Sequence, residues 1–392
     1  MERRASAPDA TLLREAEVNF AALSFGQRLE LAQQLALARK AEFTRNITNV
    51  VTVCAGLKRR CGADGFDHIH PEPCVVFIVR RKLPPSTWGD ASPQRLPKQL
   101  LTPALVNGKQ VLCAVPTDVQ RQERLLSACA QSDAGIFSVP PAPGASDFGA
   151  ACCIVRDEHS RRYVVAPIHV LSPHPANDGR GIAVTPASVF RSAAGHAPHQ
   201  TPRFLKATSF GGRLVPESRR SFDVQLASVT DEAQLALAFA GIELSPTQPF
   251  AASVAELGDL IEGDKTLRIL VPNNNPNRTT GSFQPPLRAT LSLTEEDYPI
   301  SYFFGNSSTG TRVLHSTLQL HTEPGATTIN GDSGCPVVVE SSDGAVFVGM
   351  HIAGDPKAGT SYVIPAWDLL NGFRYADVGG TLPGALTLVS PN

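Results

Sequence analysis

The string Thr327-Thr328-Ile329-Asn330-Gly331-Asp332-Ser333-Gly334-Cys335-Pro336 carries the strongest candidate for covalent chemistry in the chain. A serine hydroxyl is a weak nucleophile unless it sits on a tight turn beside a group that takes its proton. Gly331 and Gly334 permit such a turn, and successive backbone N–H groups around Ser333 can then converge on a developing oxyanion. The apolar run Pro336-Val337-Val338-Val339 would anchor that turn on a strand. Two other segments supply the missing partners. His169 ends the strand-like run Arg162-Tyr163-Val164-Val165-Ala166-Pro167-Ile168-His169, and Asp223 stands in Ser221-Phe222-Asp223-Val224-Gln225-Leu226-Ala227. A carboxylate among such apolar neighbours is costly without a hydrogen-bond partner. Taken singly, each has an ordinary structural alternative: a hairpin turn, a satisfied core histidine, and an acid at a strand start.

Together, in the order His, Asp, Ser, the three segments resemble the chymotrypsin-like (trypsin-like) serine peptidases. In that family a strand ending in Ala-Ala-His or Asn-Arg-His carries the base, which Pro167-Ile168-His169 matches. Asp-Ile-Ala-Leu carries the acid, matched by Asp223-Val224-Gln225-Leu226, and Gly-Asp-Ser-Gly carries the nucleophile, matched by 331–334. The match covers roughly 146–373. It departs from the family at Pro167 and Ile168, where small residues are usual, and at Cys335, where Gly or Ser is usual. The resemblance implies a mainly β fold of two six-stranded antiparallel barrels and a serine endopeptidase acting on a protein or peptide substrate. Ser333 would attack the scissile carbonyl, His169 would shuttle its proton, and Asp223 would orient and stabilise the imidazolium. Backbone N–H groups of Gly331 and Ser333 would hold the oxyanion, with Asp332 fixing the loop. No metal or organic cofactor is implied.

A second resemblance concerns specificity. Gly349-Met350-His351-Ile352-Ala353-Gly354 is similar to strings in glutamyl endopeptidases and picornavirus-type cysteine peptidases. Those place a histidine in the substrate pocket together with a threonine five residues before the nucleophile, the position of Thr328 here. A hydroxyl and an imidazole N–H can satisfy a Glu carboxylate or a Gln amide oxygen. The alternative is that His351 merely packs on its strand.

The elements that would position these groups are short. Across 141–392 strand-like runs are bounded by Gly, Pro, Asn or Ser, as in sandwiches and barrels. The Pro-rich stretch Ser138-Val139-Pro140-Pro141-Ala142-Pro143-Gly144 reads as a boundary and flexible joint. Before it, 46–140 reads as a small α+β accessory domain, with strands at 49–57, 74–82 and 110–115 and a helix turn or two at 93–101. Its strings Val79-Arg80-Arg81-Lys82-Leu83-Pro84 and Val115-Pro116-Thr117-Asp118-Val119 resemble the small domain before trypsin-like domains in some bacterial and plant cytoplasmic proteins. Within 1–45, Leu12, Leu13, Ala16, Phe20, Leu29, Leu31, Leu35 and Leu37 fall at helical spacing. Ser24-Phe25-Gly26 interrupts them, so two short amphipathic helices are expected, as packing elements or as a docking arm for a regulatory partner.

Composition narrows the classes. The 392 residues carry a formal net charge of −1, which excludes a strongly basic nucleic-acid binder. No segment approaches the ~20 apolar residues that span a bilayer. The N-terminus shows no apolar core of a secretory signal, and eight cysteines scattered over so long a chain read as reduced, buried thiols, so a cytoplasmic location is expected. Cys54, Cys61, His68, His70 and Cys74 crowd together, but their spacings miss the usual zinc patterns. Two other functions compete with peptide hydrolysis. One is an inactive scaffold of the same fold that binds peptides or a protein partner. The other is an acyl hydrolase of another fold, for which the Ser, Asp, His order and the Gly-x-Ser-x-Gly elbow are missing.

Overall fold

The computed structural model describes residues 10–61, 67–82, 95–121, 127–130, 137–138, 149–167, 170, 182–186, 203–211, 220–229, 244–263, 265–271, 286–304, 307–323, 325–329, 331–372 and 384–389. The chain divides into two compact units. Unit 1 is Met1–Glu123 with Ser253–Asp264 and Ser292–Thr294, and unit 2 is the remainder.

In unit 1 the helical periodicity of the first 45 residues becomes α1 (Ala10–Ala21) and α2 (Phe25–Asn46). The break between them is a cap. Ser24 accepts the Gln27 N–H with its hydroxyl, and the Gln27 side chain accepts the Ser24 N–H. Phe25 and Gly26 are therefore the first turn of a 22-residue helix, longer than the sequence pattern suggests. Gly26 serves proximity: a methyl there would overlap the Ala255 carbonyl of α3 (Val254–Ile261). Asp259 of α3 accepts from the Ser24 hydroxyl (2.9 Å) and the Gly26 N–H (2.8 Å).

Beside these helices, β1 (Val50–Cys61), β2 (Asp67–Val79), β3 (Gln99–Val106) and β4 (Lys109–Arg121) pair in the order β1-β2-β4-β3. The helix turn expected at 93–101 is overturned at its end, where Gln99, Leu100 and Leu101 are strand, Leu100 facing Val115. The cause is a hairpin signal. Asn107 and Gly108, both at positive φ, close the β3–β4 turn with Val106 opposite Lys109. In the β1–β2 ladder, His70 and His68 stand opposite the cations Lys58 and Arg60. Among the described residues no three of His, Cys, Asp or Glu gather closely enough to hold a metal ion.

Unit 2 holds the site. Six strands, β13 (Leu267–Ile269), β14 (Leu287–Phe304), β15 (Ser307–Thr322), β16 (Pro336–Ser341), β17 (Gly344–Asp355) and β18 (Thr360–Pro365), pair cyclically as β13-β14-β15-β18-β17-β16. β16 pairs back to β13, so the sheet closes as a barrel. Closure leaves no edge open, and Pro336 to Val339 are buried throughout, as a strand covered on both faces requires. β5 (Ser127–Ala130) adds to β14, and β11 (Arg220–Ser221) runs parallel to β15.

The other sheet comprises β6 (Phe137–Ser138), β7 (Cys153–Arg156), β8 (Arg162–Ala166), β9 (Ile182–Pro186), β10 (Arg203–Gly211), β12 (Gln225–Val229) and β19 (Thr387–Leu388). Their order is β19-β7-β8-β12-β10-β9-β6, all antiparallel, and among the described residues its end strands are not paired with each other. One core joins the two sheets, with Tyr163 and Leu226 from the open sheet packed in the same cluster as Met350, Ile352 and Tyr362 from the barrel. The joint expected at 140–144 lies outside the described residues.

Candidate active site

Two successive turns carry Ser333. The Asp332 N–H donates to the Ile329 carbonyl (3.1 Å), and the Cys335 N–H donates to the Asp332 carbonyl (3.0 Å). In each the third residue is a glycine at positive φ, Gly331 at 95° and Gly334 at 99°, the conformation a type II turn demands there. Asp332 is wholly buried, and its carboxylate accepts the Ile329 N–H at 2.8 Å, which braces the loop from inside. Gly334 answers a second constraint, because a methyl on it would overlap the Ala150 carbonyl. Ala150 in turn donates its N–H to the Ser333 carbonyl at 2.6 Å. The N–H groups of Gly331 and Ser333 have no backbone acceptor among the described residues.

Downstream, Cys335 is locked into the ladder. It accepts the His351 N–H (2.9 Å), while the Gly334 N–H donates to the His351 carbonyl (2.7 Å). Burial, aided by Cys153 and Cys335, pushes the neighbouring Cys152 thiol well above its ordinary range, so Cys152 is held neutral. The Ser333 hydroxyl donates to the Ile352 carbonyl at 3.0 Å. Pairing of β17 with β18 slips between His351 and Ala353, and the residue skipped is Ile352. The bulge thus belongs to the surroundings of Ser333.

Asp223 is fully buried in the three-residue crossing from β11, on the barrel, to β12, in the open sheet. β12 pairs with β8 so that Gln225 faces Ala166, which brings the end of β8 beside the acid's crossing. His169 follows three residues later and lies outside the described residues, as does Ile168. The residues flanking it are placed. Val170 donates its N–H to the Pro167 carbonyl (3.1 Å) and packs against Gly149 so closely that a methyl on Gly149 would overlap it. Gly149 precedes Ala150, the residue bonded to Ser333. The Cys152 N–H donates to the Val165 carbonyl of β8 (2.7 Å), extending the β7–β8 pairing toward Ala150.

Thr328 and His351 are both about 2% exposed. Among the described residues the buried Thr328 hydroxyl has no hydrogen-bond partner, an uncommon state for a native polar atom. A methyl on Gly354 would overlap that hydroxyl and stand 3.5 Å from His351 Cε1. The bare Gly354 therefore lets the Thr328 hydroxyl pack close against its backbone, with the imidazole edge nearby. His351 Nδ1 lies 2.7 Å from the hydroxyl of Ser361, a residue the sequence reading passed over. Its signal was slight: one serine inside the otherwise apolar end of Thr360-Ser361-Tyr362-Val363-Ile364.

No protein-family model matches the chain, and no curated protein matches it. Among solved structures it is similar to the NS6 protease of murine norovirus 1, at 16% identity over 52% of this chain and 80% of that one, with a TM-score of 0.26. It is also similar to Nocardiopsis protease, at 13% identity over 64% of this chain and 97% of that one, with a TM-score of 0.32. Both are proteases. Their fold is chymotrypsin-like, the type that the motifs of this chain resemble.

Proposed function

We propose that the chain is a serine endopeptidase working through His169, Asp223 and Ser333. One observation carries the reading. The double glycine turn that presents Ser333 closes on Ala150, next to the residues that flank His169 and to the sheet joined at the Asp223 crossing. In this reading the Ser333 hydroxyl leaves the Ile352 carbonyl, gives its proton to His169 and attacks the scissile carbonyl. The N–H groups of Gly331 and Ser333 receive the oxyanion, and His169 returns the proton to the leaving amine. Water, deprotonated by His169, then releases the acyl group. The open seven-stranded sheet serves as the counterpart of the closed barrel, completing a two-barrel fold.

The substrate side chain before the cleaved bond is Glu or Gln, read by Thr328 and His351; the orphaned Thr328 hydroxyl supports this, because a polar group from the substrate would satisfy it. We place the protein in the cytoplasm, a view supported by Cys54, Cys74, Cys113, Cys152, Cys153 and Cys335, all buried and free of disulfides. No helix among the described residues is long and apolar enough to cross a membrane. Restraint of the activity falls to the N-terminal region or to a partner docked on it.

The competing reading, an inactive peptide-binding scaffold, draws on the bond that ties the Ser333 hydroxyl to the Ile352 carbonyl. Turnover decides between them. The intact chain should hydrolyse members of a peptide library after Glu or Gln, and Ser333→Ala should lower the rate by about a millionfold with the fold unchanged by circular dichroism. Peptides bound but left uncut by the intact chain would favour the scaffold.

A further inference from the structure

One end of the sheet in unit 1 gathers five exposed cations that the proposed chemistry leaves without a task. Arg80, Arg81 and Lys82 follow Val79, the last residue of β2; Arg121 ends β4 opposite Val79; and Arg45 lies in the last turn of α2. We infer that this end is a docking surface for a protein partner, which it recognises by an acidic segment of Asp and Glu side chains. Such docking is separate from the reaction at Ser333.

Register brings these cations together. β1 begins at Val50, opposite Val79, and only Ile47 to Asn49 separate it from the end of α2. β2 and β4 run parallel, so both deliver their cations to the same end. The run after β2 is also held in place. The Arg80 N–H donates to the Asn49 carbonyl (3.0 Å), and the Asn49 side chain accepts the Arg81 N–H (3.2 Å) while donating to the Arg81 carbonyl (2.8 Å). An ordered run loses less entropy on binding than a free tail does. Among the described residues the acids on these elements are already engaged: Glu42 by Arg39, and Asp118 by the N–H groups of Arg59 and Val119. All the cations but Lys82 are arginines, whose forked guanidinium matches the paired oxygens of a carboxylate. Other polyanions fit less well. The described aromatic side chains of unit 1, Phe20, Phe25, Phe43 and Phe77, are all buried, which leaves bases no ring to stack on. A net charge of −1 also lacks the broad basic field of nucleic-acid binders. The exposed apolar residues Leu12, Val18, Leu37 and Leu105 lie away from the strand and helix ends that carry the cations, so a membrane would find no anchor beside them.

The probe is a fluorescein-labelled peptide with a central run of about six glutamates, long enough to cover the patch, and its glutamine counterpart is the blank. By fluorescence anisotropy the full chain should hold the glutamate peptide and not the blank, and added salt should weaken the complex. An exposed ion pair is worth at most about fivefold in affinity, so Arg80→Ser, Arg81→Ser and Lys82→Ser made together should weaken binding at least about tenfold. Arg14→Ser, Arg156→Ser and Lys357→Ser made together remove the same charge from exposed positions elsewhere and should leave the affinity unchanged. Cross-linking of the unmutated chain gives an answer independent of how the variants fold. A carbodiimide should couple a glutamate of the bound peptide to the Lys82 amine, as mapped by mass spectrometry. No binding of the glutamate peptide, equal losses in the two triple variants, or cross-links confined to other lysines would overturn the docking surface. Retention of single-stranded RNA or phosphatidylserine vesicles in place of the peptide would overturn the choice of partner.

Discussion

Gly334 shows how far one residue constrains this site. Its φ of 99° favours glycine, and a side chain would meet the Ala150 carbonyl. Gly334→Ala should cost about 1–3 kcal/mol from the backbone alone. It should also displace Ser333 enough to slow acylation about 100-fold, since a shift near 1 Å has that effect. Denaturant midpoints and labelling rates measure the two losses, and a variant of unchanged midpoint would contradict the overlap. At this scale the sequence was informative where the chemistry is local. Gly331, Asp332, Ser333 and Gly334 form one contiguous motif, so the turn at Ser333, its two glycines and the bracing carboxylate were all legible. Ala150, Ile352 and Ser361 were not, because Ile352 and Ser361 meet their partners through a bulge and strand pairing, and Ala150 meets Ser333 through a backbone bond between distant loops.

Asp157 closes the β7–β8 hairpin and thereby holds β8, the strand leading toward His169. Its carboxylate is buried and accepts the N–H groups of His159 and Arg161 (both 2.9 Å), the Arg161 Nε (2.7 Å) and the Tyr163 hydroxyl (3.2 Å). Burial alone would raise its pKa, but the bonds from Arg161 and His159 together outweigh it and hold the carboxyl below its ordinary value. A depressed carboxyl stabilises the fold above the unfolded value of ~3.9 and loses that contribution as pH falls through the folded one. Asp157→Ala should cost about 2 kcal/mol at pH 7, and the gap to the unmutated chain should narrow below about pH 4. Urea titrations at both pH values check this, and a gap that widens in acid would refute it. Elements were legible where punctuation was strong. Most strands of unit 2 lie where apolar runs between Gly, Pro and Asn placed them, though β14 and β15 run far longer. The misses had signals of their own. Asn107-Gly108 is a hairpin turn that turned an expected helix turn into β3, and Ser253-Val254-Ala255-Glu256 is the capping pattern that opens α3.

At the scale of the whole molecule, unit 1 is assembled from distant parts of the chain. α3 and Ser292–Thr294 belong to it although both follow β12 in sequence, and Leu293 and Thr294 pair with Gly56 and Ala55 of β1. Such pairing cannot be read from composition or period, which is why sequence alone drew the boundary at a single proline-rich stretch. Deleting residues 1–140 would strip α3 of the close approach of Gly26 to Ala255 and Gly258 and of the Ser24 bond to Asp259, uncovering the face of α3 that α2 packs on. The truncated chain should therefore bind a hydrophobic dye and melt several degrees lower than the full chain. An unchanged melting temperature without dye binding would show that α3 needs no such cover. The central claim is that Ser333 is an activated nucleophile. It is tested most directly by treating the intact chain with a fluorophosphonate and mapping the adduct by mass spectrometry. The account predicts one adduct, on the peptide containing Ser333, and none in Ser333→Ala. No adduct on the intact chain, or an adduct that persists in Ser333→Ala, would contradict it.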